Sequence, residues 1–193
     1  MRAVRLHGVG DLRVEDIAAP APPRRDEVSL DVAAAGICGS DLHNFRTGEW
    51  ISRAPSVAGH EFTGTVTSLG AGVRHVSVGD RVIVDSRHVC GDCAACRAGR
   101  AQVCESLGFL GEAIDGGFAG AVTLPARNAL RAPHGVADRH LAMAEPLAVA
   151  LHALNRLDAD SGAGIVIAGC GAIGGLVALL AADRGHPVGV IDR

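Results

Sequence analysis

The sequence predicts a mixed fold, a β-rich domain followed by the first β-α-β of an α/β sheet. Three observations carry that expectation. Short alternating or β-branched runs fill the first part of the chain, a cysteine-rich loop of little apolar content interrupts it, and a strand–glycine turn–helix pattern follows.

Up to about residue 86 the pattern is β-rich, with strands expected at 28–33, 64–69 and 81–84. Gly, Pro and Asp separate them, including the proline-rich stretch 18–25. Residues 88–104 form the cysteine loop. Residues 139–157 return to helical spacing, and Pro146 should place a helix start near it. A polar, glycine-containing connector, 158–164, then leads into a strand at 164–168, a helix at 173–184 and a strand at 187–192. The expected division is a first domain over 1–157 and a second over 158–193.

Composition narrows the function classes. The 193 residues are 48% hydrophobic and 20% charged, with a net charge of −3, so no basic face is expected for nucleic acid or anionic lipid. Aromatic residues make up 3% and tyrosine is absent, which argues against base-stacking platforms. Residues 162–182 carry no charge and are long enough to cross a bilayer. Glycines interrupt that run at its middle, however, so it reads as strand, turn and helix. The amino terminus lacks the apolar core of a secretory signal. Six cysteines without such a signal point to metal or redox use in a reducing compartment, and the cytoplasm is the expected location.

Cys90, Cys93, Cys96 and Cys104 place four thiols within fifteen residues. Four sulfurs on tight turns satisfy tetrahedral zinc and leave no open position, so the site should be structural. An iron–sulfur cluster is the alternative. Two further segments, Gly36-Ile37-Cys38-Gly39-Ser40-Asp41-Leu42-His43 and Gly59-His60-Glu61, each offer one borderline-soft ligand flanked by glycine. Taken alone, such a Cys is usually a small core residue and such a His a satisfied polar one. Near the end of the chain, Gly169-Cys170-Gly171-Ala172-Ile173-Gly174 follows a strand and opens a helix, as a dinucleotide-binding turn does. Asp192 ends the next strand. An acid there accepts from ribose hydroxyls and repels a 2′-phosphate, favouring NAD, while the adjacent Arg193 softens that preference. Cys170 reads as a small packing residue.

In order, GICGSDLH, GHEFTG, GDRV, the four-cysteine loop, EPLAVALHAL and GCGAIG resemble the zinc-containing medium-chain dehydrogenases over the whole chain. The resemblance implies a GroES-like catalytic domain followed by a Rossmann domain. It implies Cys38 and His60 as catalytic zinc ligands, with Glu61 and Glu145 both within reach and neither assigned as the resting ligand. Asp41 would orient the histidine ligand; Ser40 would take the alcohol proton and pass it toward His43. Zinc lowers the cost of removing that proton, so the carbon can deliver hydride to a nicotinamide. The stretch from Leu107 through EPLAVALHAL looks most like the butanediol, sorbitol and idonate dehydrogenase branch, which implies a secondary alcohol or polyol substrate. Threonine dehydrogenases are the runner-up branch. Ala119-Gly120-Ala121 departs from the family's Ala-Glu-Tyr and should weaken packing locally.

A doubly wound sheet has about six strands and only two are expected here. The contrasting reading is therefore a zinc-stabilised module with an incomplete Rossmann stub, inactive or nearly so by itself. A full-length form would be a homo-oligomer. For the four-cysteine loop, the purified protein should show stoichiometric zinc and no visible charge-transfer band; such a band would replace zinc with an iron–sulfur centre.

Overall fold

A period of two in burial runs through the first part of the chain and builds the sheets expected there. The computed structural model describes residues 1–193 as two compact units, Met1–Ala142 and Met143–Arg193. The first unit runs β1 (Arg2–Gly8), β2 (Asp11–Asp16), β3 (Glu27–Gly36), α1 (Gly39–Thr47), β4 (Ser56–Val57), β5 (Glu61–Leu69), β6 (Arg81–Val84), β7 (Arg87–His88), α2 (Ala94–Arg97), β8 (Gly108–Phe109), β9 (Ala121–Pro125), β10 (Ala129–Arg131) and α3 (Asp138–Leu141).

An antiparallel five-stranded sheet, ordered β10-β6-β5-β3-β9, carries the core. Alternate residues turn inward: Val28 and Leu30 from β3, Val82 and Val84 from β6, Val122 and Leu124 from β9. Phe62 and Val66 of β5 complete the same cluster. Each such side chain stabilises the fold by about 1.5–3 kcal/mol on burial. A second sheet, β2-β1-β4, is tied to the region before β9, where the Val4 N–H donates to the Phe118 carbonyl at 2.8 Å. The pair β7-β8 flanks the cysteine loop.

Two expectations change. The strands at 28–33 and 64–69 extend outward to Glu27–Gly36 and Glu61–Leu69. The β-rich stretch also contains a helix, α1, because local capping outweighs its β-rich surroundings. Cys38 takes an extended N-cap conformation, its N–H donates to Asp41 Oδ2 at 2.8 Å, and Gly48 closes the helix in the left-handed region at φ 69°. Ala119-Gly120-Ala121, where the missing aromatic and acid are expected to weaken packing, lies at a backbone junction. Ala3 bridges Ala119, the Val32 N–H donates to the Gly120 carbonyl at 3.0 Å, and Ala121 pairs with Asp31.

The second unit comprises α4 (Ala144–Leu157), β11 (Ile165–Ala168), α5 (Ala172–Asp183) and β12 (Val188–Ile191). Its strands pair in parallel from Ile165↔Val188 to Ala168↔Ile191, as expected of a β-α-β. The expected division at 157/158 shifts to 142/143, because Leu154 of α4 packs in one core with Ile165 and Ala181. The helical stretch 139–157 splits into α3 and α4, with Pro146 in the first turn of α4, where its missing N–H leaves no bond unmade. No helix is long and apolar enough to cross a membrane.

Leu30 is fully buried whereas Val14 is 68% exposed. In denaturant unfolding, Leu30→Ala should cost about 2–5 kcal/mol, and Val14→Ala should stay within about 0.5 kcal/mol.

Candidate metal centres

Strand register brings two distant segments together. β3 and β5 are antiparallel and end in register at Gly36↔Glu61. The chain leaves β3 through Ile37 to Cys38, the N-cap of α1, and enters β5 from Gly59 and His60. One ligand atom from each of Cys38, His60 and Glu61 therefore lies within 4.8 Å of the others. His60 is buried, and Cys38 and Glu61 are half-buried.

Packing fixes these side chains. Gly59 sits at φ 92°, and a Cβ there would meet the Phe118 ring at 2.4 Å, so only glycine lets the chain pass before His60. A Cβ on Gly36 would meet Glu61 Oε2 at 2.5 Å, so glycine there makes room for the carboxylate. His60 Nε2 lies 3.4 Å from Ser40 Oγ, while Nδ1 faces Asp41 Oδ1 at 3.8 Å. Asp41 thus cups the histidine from behind while its other oxygen caps α1. Thiol, imidazole and carboxylate suit a borderline metal such as zinc, and three protein donors leave a fourth position free.

Ser40 and His43 lie one turn apart on α1. The Ser40 hydroxyl contacts His60, and His43 Nε2 meets Glu49 Oε2 at 2.8 Å while its ring stacks on Trp50 at 4.1 Å. Glu49, Trp50 and the buried Asn44 behind them were missed by motif reading. A single tryptophan in a chain so poor in aromatics was the available signal. Glu145 belongs to the second unit, in the first turn of α4, where an acid suits the helix dipole.

The four-cysteine cluster is local and closed. Its sulfurs all lie within 4.8 Å of one another, with Cys90 to Cys104 at 3.5 Å and Cys90 to Cys96 at 4.0 Å. A zinc tetrahedron with arms of about 2.3 Å has edges of about 3.8 Å, so the set fits. Backbone N–H groups of Cys90, Cys93 and Cys96 each donate to a neighbouring sulfur at 3.4 Å. Backbone hydrogen bonds at Glu105 and Cys96 hold the Cys93 thiol down at about 6, whereas loss of hydration pushes Cys96 up to about 12. A backbone bond from Cys90 also lowers Cys104.

In the second unit, Gly169 takes φ 91° and Gly171 caps α5. A Cβ on Gly174 would strike the Gly169 carbonyl at 1.9 Å, so this glycine lets helix and turn pack closely. Ile173 lies in the first turn of α5 and is 40% exposed. Asp192 accepts from the Cys170 N–H at 2.6 Å and the Arg193 N–H at 2.7 Å, which holds its carboxyl below the usual range. Its carboxylate therefore braces the glycine turn. Cys170 is exposed, contrary to the packing role expected, because the turn lifts it away from the core.

Residues 24–134 match the alcohol dehydrogenase GroES-like domain, more than half of the chain. The chain belongs to that family. A zinc-type alcohol dehydrogenase-like protein of Haemophilus influenzae is 40% identical, over 96% of this chain and 54% of its own length. Sorbitol dehydrogenase of Halalkalibacterium halodurans is 37% identical over 94% and 53%, and L-threonine 3-dehydrogenase of Pyrococcus horikoshii 36% over 94% and 52%. A putative zinc-binding dehydrogenase of Sinorhizobium meliloti, solved bound to NADP, superposes with TM-score 0.92 at 38% identity, over all of this chain and 56% of its own. The chain spans about half the length of the curated relatives it matches.

The thiolate is the reactive form of cysteine. Alkylation followed by peptide mass spectrometry should spare Cys90, Cys93, Cys96 and Cys104 in the zinc-loaded protein and label all four after chelator treatment; labelling that the chelator does not change would remove the metal from this loop.

Proposed function

We propose that this chain supplies the metal centres and the first dinucleotide-binding elements of an oxidoreductase that transfers hydride between a secondary alcohol or polyol and NAD. The observation that carries this reading is the Cys38/His60/Glu61 cluster, with its mixed donors and its open fourth position. Zinc held there supplies Lewis acidity toward a substrate oxygen. Cys90, Cys93, Cys96 and Cys104 hold a second zinc that braces their loop.

The chain's own groups divide the remaining work. Asp41 holds the His60 ring in orientation from the Nδ1 side. Ser40, beside His60 Nε2, accepts the proton of the substrate hydroxyl and passes it outward along α1 toward His43, which Glu49 keeps in place. Glu61 balances the charge of the cation, and Glu145 is the alternative carboxylate of the family pattern. The glycine turn Gly169–Gly174 receives the pyrophosphate at the start of α5, with Ile173 along its flank. Asp192, whose carboxylate accepts from the Cys170 and Arg193 amides, keeps lone pairs that would accept from the adenosine ribose, with Arg193 beside it. A carboxylate there supports NAD over NADP, although one relative was solved with NADP. The sorbitol dehydrogenase relative supports a polyol, and the threonine dehydrogenase relative, at nearly equal identity, keeps an amino alcohol as the second reading. The proposed setting is the cytoplasm, with a homo-oligomeric full-length protein.

Metal analysis and cofactor reduction test this together. The chain should hold two zincs, and Cys38→Ala should hold one while staying folded; two zincs in that variant would remove the catalytic centre. A form carrying a complete Rossmann domain should reduce NAD with sorbitol or 2,3-butanediol faster than with threonine, and Ser40→Ala should lower turnover by about 10²-fold or more without loss of zinc. Faster threonine oxidation, or a preference for NADP, would overturn the substrate or cofactor assignment.

A further inference from the structure

The last residues paired between β3 and β5 are Gly36 and Glu61, and Cys38 and His60 both lie beyond that pair. The sheet alone therefore fixes neither ligand. One loop, residues 110–118, reaches the carriers of both. Its root is rigid. Leu110 is fully buried in the main core, its N–H donating to the Ser86 carbonyl at 2.9 Å, and Ile114 packs against the same core. Between them the Gly111 N–H donates to the Ile114 carbonyl at 2.7 Å and closes a tight turn. Two acids of this loop then serve different elements. Glu112 Oε1 accepts from Nδ2 of buried Asn44 at 2.9 Å, and Asn44 lies on α1, whose N-cap is Cys38. Asp115 Oδ1 accepts the Val57 N–H at 2.9 Å and also takes the Arg53 guanidinium. The residues after Asp115 continue the grip: the N–H groups of Gly116, Gly117 and Phe118 donate to the carbonyls of Val57, Gly59 and Ala58, each at 2.9 Å. All three residues leading into His60 are thereby held. A Cβ on Gly116 would strike the Gly59 carbonyl, so the loop lies directly against them.

We propose that Glu112 and Asp115 are positioning residues that set the separation of Cys38 from His60 by clasping α1 and the segment entering β5 to one rigid loop; this rests on the reading of Cys38, His60 and Glu61 as a metal centre. Glu112 acts through Asn44 and α1, and Asp115 acts through Val57 and the backbone that runs into His60. A metal site needs its donors placed to about 0.2 Å, so a small drift of α1 against that backbone is felt at once. Both acids work as hydrogen-bond acceptors. The Arg53–Asp115 ion pair is exposed, and such pairs add little. An amide oxygen in the same place should therefore keep the clasp closed, whereas alanine should open it. The four-cysteine loop, held by its own backbone, serves as a reference within the same chain.

Cobalt(II) titrated into the 193-residue chain, with zinc already in the four-cysteine loop, reads the mixed cluster by its visible band. Glu112→Ala and Asp115→Ala should each weaken cobalt binding about tenfold, as loss of a group supporting a ligand does, and should shift the band. Glu112→Gln and Asp115→Asn should restore both, with the four-cysteine zinc retained throughout. Asn44→Ala breaks the Glu112 contact from the other side, so combining it with Glu112→Ala should cost less than the sum of the two. In the metal-free chain, the His60 ring resonances, assigned by their loss in His60→Asn, should move in the alanine variants and stay in place with Gln and Asn. Alanine variants with the parent's affinity and band, amide variants no better than alanine, or additive losses for Asn44 and Glu112 overturn the clasp and leave the metal centre standing. A parent chain that takes no cobalt at the mixed cluster, with His60 resonances that still move, supports the clasp and removes the metal centre. Unmoved resonances without cobalt binding remove both.

Discussion

The pairing of β3 with β5 is the constraint on which the candidate centre depends. Neither Cys38 nor His60 is a metal site alone, and 22 positions of chain separate them. Antiparallel register ends the two strands at Gly36↔Glu61, and the residues just beyond those ends converge. That register is secured by what lies further along the same strands. Val28 and Leu30 face the core with Phe62 and Val66, and a one-residue slip would turn each of them to the wrong face. The ligand geometry is thus held by apolar packing several residues away, which lets polar, half-exposed groups sit at the rim without having to organise themselves.

Close packing around the rim gives the glycines their meaning. Gly59 passes under the Phe118 ring at a separation that admits no side chain, and Gly36 leaves room beside the Glu61 carboxylate. Each absent Cβ allows a ligand-bearing neighbour to stand where the cluster needs it. On the other side of the cluster α1 begins, and its capping acid is also the acid that faces His60. One carboxylate thereby couples the start of a helix to the orientation of an imidazole, so local helix stability and site geometry share the same residue.

The two candidate metal clusters reflect different physics. The four-cysteine loop is built by tight turns within fifteen residues, and N–H groups of its own backbone point at its sulfurs. It demands little from the sheet beyond the β7-β8 anchor. The Cys38/His60/Glu61 cluster is non-local and exists only once the sheet has formed. The second unit has its own small core of Leu154, Ile165 and Ala181, where α4 closes on the β-α-β.

The sequence by itself determined what is local. Cysteine spacing defined the closed loop, the glycine turn defined the β-α-β, and alternation defined most of the inner strands, because each signal is set by neighbours within a few residues. Tertiary structure alone decided the rest. It added a helix at α1, where capping by Asp41 and Gly48 outweighs β-rich surroundings. It moved α4 across the domain boundary, since an amphipathic helix joins whichever core accepts its apolar face, and spacing does not say which. It turned Asp192 inward onto the Cys170 amide. It also placed Trp50 over His43 through buried Asn44, a contact that arises from three side chains meeting in space and has no counterpart in linear spacing.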